Sequence, residues 1–221
     1  MATRNLSFIT TKAQGVSENT NIILTFVPVD KTDLYSKQLP VVWKLLKFAA
    51  NQTQTVNVTY SARLGVAVAQ IDTGLVQIPQ TFIEMGLGQT TSFTTDSDNF
   101  VEWSEPSPKP APGTGTIVAD NESGSKQDLM LGTVSGETNF QPVLVWKAVN
   151  NGATMTASFT PKLRAYAYKN YQETAIIKGE IETGLLGEWD LATLNASPKV
   201  NTFHLYEDNN AGGKLTISIE S

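Results

Sequence analysis

TQTVNVTYSARLGVAVAQ, residues 53–70, begins with the two-residue period of a strand: Val56, Val58 and Tyr60 fall on one face, Thr55, Asn57 and Thr59 on the other. The same pattern returns later in the chain. MTASFTPKLRAYAYK, residues 155–169, aligns without gaps to VNVTYSARLGVAVAQ, residues 56–70, and puts Met155, Ala157 and Phe159 where the first copy has Val56, Val58 and Tyr60. Outward from this block, VVWK at 41–44 matches LVWK at 144–147, displaced by 103, and Asn51 matches Asn150, displaced by 99. IDTGL from Ile71 matches IETGL from Ile181, and SFTTDSDN from Ser92 matches TFHLYEDN from Thr202, both displaced by 110. The order of the blocks is kept, so the chain reads as two similar halves, an internal duplication.

The expected fold is all-β, an antiparallel β-sandwich architecture built from these halves. Residues 1–103 form the first, 104–122 a Pro/Gly-rich crossover linker, and 123–221 the second. In SEPSPKPAPGTGT, residues 104–116, prolines at 106, 108, 110 and 112 fix φ and remove amide donors, which excludes helix and central strand. Further strands are expected at 5–10, 21–29, 128–134, 175–181 and 214–219, with a hairpin turn at Asn150-Asn151-Gly152. The helix candidates are short, 81–87 and 189–194.

Composition agrees. The 221 residues include 27 threonines, and charged residues make up 17%, below the roughly 25% usual for globular proteins. A formal charge of -5 opposes the phosphate neutralisation that nucleic-acid binding needs. The longest apolar stretch, 41–50, is interrupted by Lys44 and Lys47, so no membrane span is expected. MATRNLSFITTKAQG at the amino terminus lacks the continuous apolar run of a secretory signal, from which a cytoplasmic location is expected.

With no cysteine and His204 as the single histidine, Cys/His metal sites and HExxH enzymes are excluded. No G-x-S-x-G elbow accompanies His204, and no catalytic residue is expected. Ligand candidates come from comparing the halves. Leu64, Val66 and Val68 match Leu163, Ala165 and Ala167, all apolar and read as core, whereas Arg63, Gly65, Ala67 and Ala69 correspond to Lys162, Arg164, Tyr166 and Tyr168. A smooth wall facing Arg164, Tyr166 and Tyr168 makes a slot for a flat, partly polar ligand. A dimer interface uses tyrosine in the same way. Trp43 and Trp146 occupy matching strand positions and read as core; Trp103 and Trp189 have no repeat partner and are candidates to close over a ligand. Asp96 and Asp98, two apart in TDSDN, are either a solvated turn or two ligands of a Ca²⁺ or Mg²⁺ site.

A cysteine-free, acidic, Thr-rich chain of this length, beginning MATRNLSFITTKAQG and carrying aromatic-lined strands such as KLRAYAYKNY at 162–171, resembles the pink chromoproteins of oyster-mushroom fruiting bodies, which bind an indolone pigment. The likeness is of the whole chain and assigns no numbered residue. It implies non-catalytic binding of an indolone-type chromophore, a flat conjugated small molecule, in a homodimer. A cytosolic fungal-type lectin or pore-forming defence protein shares the same composition and binds sugar through exposed Trp, Asn and Asp.

Overall fold

The computed structural model describes residues 3–11, 13–29, 34–98, 100–108, 115–168, 171–181 and 184–220. Along the chain run β1 (Thr3–Thr10), β2 (Thr20–Phe26), β3 (Gln38–Pro40), β4 (Lys44–Phe48), β5 (Gln54–Ser61), β6 (Leu64–Val68), β7 (Ile71–Asp72), β8 (Leu75–Val76), β9 (Ile83–Met85) and β10 (Gln89–Thr95). They continue as β11 (Val101–Trp103), β12 (Ser107–Pro108), β13 (Thr116–Asn121), β14 (Gln127–Ser135), β15 (Asn139–Val149), β16 (Thr154–Ser158), β17 (Lys162–Ala167), β18 (Leu185–Asp190), β19 (Val200–Asp208) and β20 (Lys214–Ile219). The helical content among the described residues is one 3-10 turn, Asn209–Ala211. The fold is all-β, and neither expected helix forms: 81–87 holds β9, and 189–194 holds the end of β18 and a turn.

Four sheets carry the architecture. Sheet A has the order β20-β19-β1-β5, sheet B β18-β17-β2-β4, sheet C β9-β6-β14-β15-β3, and sheet D β11-β10-β13-β16 with β12 beside β10. A and D share one order, each with a parallel pair at its centre, β1 with β19 and β10 with β13. B and C share another, wholly antiparallel, with β3 added to C beside β15. The strand order of the chain therefore repeats, with β1, β2, β4, β5, β6, β9, β10 and β11 standing where β13 to β20 stand. The parallel pairs depart from the antiparallel expectation, and neither joins consecutive strands: β1 and β19 lie near opposite ends of the chain, and β11 and β12 intervene between β10 and β13.

That exchange also redraws the expected halves. Sheets A and B are built from residues 3–61 and 162–220, sheet D lies entirely within 64–158, and so does sheet C except for β3. Each half of the sequence thus sends its first strands into one sandwich and its last strands into the other. Within 104–122, β13 runs between β10 and β16 as an inner strand of sheet D, while residues 109–114 of the proline stretch lie outside the described residues. The Asn150–Gly152 turn is a corner between sheets C and D rather than a hairpin, closed by Ala153 N donating to Asn150 O at 3.0 Å with Gly152 at φ 74°.

A single buried cluster fills both sandwiches, including Phe8, Phe26, Trp43 and Phe203 from the A–B side and Phe93, Leu131, Met155 and Phe159 from the C–D side. The outer faces of B and C are covered too. Residues 39–42, 74–76 and 174–177 form a ribbon joined by bridges Val41–Ile176 and Leu75–Ala175. Its side chains alternate: Val41, Val76 and Ile176 pack with Met130, Val134 and Phe140 of sheet C, and Val42, Ala175 and Ile177 pack with Ile23 of sheet B. This double burial explains why IIL in β2 and LML in β14 are apolar on both faces. The segment 175–181, expected as a full strand, contributes only the ribbon bridges.

Candidate functional site

The strand pairing sets its own residue equivalences. Leu64 pairs with Met85 in sheet C, and Leu163, its match at displacement 99, pairs with Trp189 in sheet B. Ser7 pairs with Thr202 in sheet A, and its counterpart Val118 with Thr90 in sheet D, which makes the final displacement 112 rather than 110. Asp96 and Asp208 then coincide, and each caps a turn. Asp96 Oδ1 accepts from Asp98 N at 2.9 Å and Phe100 N at 2.8 Å, and Asp208 Oδ1 from Asn210 N at 2.9 Å. Trp43 and Trp146 part company: Ile22 faces Leu46 and its counterpart Leu129 faces Trp146, so Leu46 is the match. Trp43 is buried and donates Nε1–H to Gln141 Oε1 at 2.8 Å.

These equivalences locate a cleft. On the outer face of sheet C, Gly65 and Gly132 make room for the Phe140 ring. A Cβ on Gly65 would lie 3.3 Å from that ring, and one on Gly132 would run into it. Phe82 closes over Phe140 with ring centroids 5.3 Å apart. In sheet B the same two positions are Arg164 and Thr25, and a cleft of about 240 Å³ stands open between them and the loops carrying Tyr35 and Glu180. Pro28, Pro40, Ile177 and Ile181 supply its apolar lining, and Tyr166 shares it.

The guanidinium of the cleft is held. Arg164 Nε donates to Glu188 Oε2 at 2.6 Å. Glu84 stands at the place of Glu188 in sheet C and binds Arg63, so the carboxylate is kept while the arginine moves two residues along the strand. Burial works against the Arg164 charge, but the Glu188 hydrogen bond and the Tyr166 phenol outweigh it and raise its pKa. Burial pushes the Tyr35 phenol up, with Tyr166 and Glu180 adding to the shift against Arg164. Tyr35 is therefore a neutral donor at physiological pH.

Of the residues picked out in the sequence, Arg164 and Tyr166 come together here. Tyr168 does not line the cleft and packs on Tyr171, ring centroids 4.7 Å apart and rings tilted by 38°; the Tyr171 phenol is pushed up by burial and by Tyr168. The smooth wall of Gly65, Ala67 and Ala69 does not face the tyrosines, because the ribbon occupies the space between sheets B and C. Trp189 points to the inner face, 4.9 Å from Phe203 and over Gly187. Trp103 packs on Phe93 at 4.9 Å, with its Nε1 buried and without a hydrogen-bond partner among the described residues. Neither indole reaches the cleft. Asp96 commits one oxygen to its turn, and no group of three or more His, Asp or Glu side chains gathers among the described residues. No helix of the described residues is long and apolar enough to cross a membrane.

Sequence reasoning missed Tyr35 and Glu180. Both sit in irregular segments without periodicity, and the one local signal, a non-glycine residue at φ 62° for Tyr35, is a backbone property. No protein family, curated protein or solved structure matches this chain.

Proposed function

We propose that this is a non-catalytic binding protein that holds a small, flat, conjugated molecule of the indolone-pigment kind in the cleft on sheet B. The observation that carries the reading is the joining of two phenols, Tyr35 and Tyr166, with the opposite charges Arg164 and Glu180 above an apolar lining. A conjugated ring gains about 0.5–1.5 kcal/mol from each aromatic contact, and the two charges orient its polar edge. At about 240 Å³ the cleft suits one or two fused rings. The reading assigns no reaction and involves no metal.

Protein purified from its native source is expected to keep a visible absorption band through dialysis; a colourless preparation sinks the reading. Tyr166→Ala should remove the band at an unchanged unfolding midpoint. If Tyr166 instead serves a subunit interface, the same variant changes the mass in sedimentation and leaves the band. A homodimer and a cytoplasmic location belong to the same proposal, and are read by sedimentation and by imaging of a tagged chain.

A further inference from the structure

A second, wider recess lies on the outer face of sheet A, where β19 meets residues 13–17. It encloses about 710 Å³, inside the roughly 300–1,000 Å³ common for small-molecule sites. His204 and Tyr206, two apart on β19 and therefore on one face, line it with their rings. Asn51, Asn209, Asn210 and Ser218 line it as well, and their side chains make no hydrogen bond among the described residues.

The walls are already fixed. Glu207 Oε1 accepts from Ser17 N at 2.8 Å and from Ser17 Oγ at 2.7 Å, and Glu207 N donates to Gly15 O at 3.1 Å. Asn51 N donates to Val16 O at 2.8 Å, and the Asp208 cap holds the turn that carries Asn209 and Asn210. The equivalent face of sheet D lacks these features. Ser92 and Thr94 stand at the positions of His204 and Tyr206, and Ser104, the counterpart of Ser218, accepts from Ser92 N at 2.8 Å. One frame thus carries a ring-bearing polar recess on sheet A and a strand-bonded serine face on sheet D.

We infer that this recess binds a neutral saccharide through a hexopyranose unit. An apolar ligand would bury the three free amides without partners, at about 1–3 kcal/mol each. An anionic ligand would meet the carboxylates of Glu207 and Asp208. A pyranose satisfies both demands, since its C–H face lies on an aromatic ring while its hydroxyls donate to Asp208 and accept from the asparagine amides. The site is separate from the Tyr35 cleft and stands whether or not that cleft holds a pigment.

The test is saturation-transfer NMR of the full chain with free methyl glycosides of glucose, galactose, mannose and N-acetylglucosamine. At least one should receive transfer. Tyr206→Ala should weaken its binding about tenfold or more, whereas Tyr206→Phe, which keeps the ring, and Thr94→Ala on sheet D should leave it within about threefold. Asn210→Ala, at an exposed turn, provides a second loss variant that spares the strand. Absence of transfer from all four glycosides, or binding indifferent to both Tyr206→Ala and Asn210→Ala, overturns the inference.

Discussion

Tyr60 and Phe159 meet Phe26 at 5.7 and 5.4 Å, equivalent residues that differ by one hydroxyl. Burial, opposed by Arg4 and reinforced by Asp190, pushes the Tyr60 phenol from 10.0 up to about 12. A raised folded-state pKa gives stability that is complete below pH 10.0 and is lost as pH rises towards about 12, where the unfolded chain ionises more readily. Tyr35 and Tyr171 shift in the same direction. Tyr60→Phe should therefore flatten the alkaline loss of stability while changing it by less than about 1 kcal/mol at pH 8, as read by urea unfolding at about pH 8 and about pH 11. Gly132 makes a steric prediction. Its Cβ would strike Phe140, so Gly132→Ala should cost about 1–3 kcal/mol in the same assay, and Gly136→Ala would not report on that packing because its φ is 64° and its surroundings are open.

At the scale of strands, the two sandwiches solve one packing problem in different ways. Trp189 on β18 corresponds to Met85 on β9, and Trp103 on β11 to Ile217 on β20, so these two indoles come from non-equivalent sheets, B and D. This explains why neither tryptophan had a repeat partner in the sequence: the partner volume sits on another strand. Alternation made β1, β5 and β20 legible, and the gapless match of residues 56–70 with 155–169 covers β5 with β6 and β16 with β17, which occupy corresponding places in the strand order. The VVWK and SFTTDSDN matches slipped by three and two residues. Trp, Lys, Phe and Asp recur by type, while strand register is set by hydrogen bonds that sequence does not display. The ribbon was illegible for a related reason. Its three short segments are far apart in the chain, and each is apolar on both faces, a pattern shared with any buried strand.

Across the whole molecule the two sandwiches are interlocked, because the chain enters one, crosses to the other after Ser61, and returns after Ser158. Residues 1–103 alone would leave β1 without β19 and β2 without β17, exposing unpaired edges. Expressed separately, 1–103 and 104–221 should each lack a cooperative thermal transition by circular dichroism; co-expressed, they should copurify and melt together. Independent cooperative melting of either piece would show that the exchange of strands is dispensable. The parallel pairing of β1 with β19 has a consequence for synthesis as well. After β5 leaves the ribosome, roughly 150 more residues must follow before sheet A can close, about 7–30 s at 5–20 residues per second. Nearly all strands of sheets C and D emerge during that interval. The sandwich in the middle of the chain can assemble first, while the earliest-made strands wait with open edges.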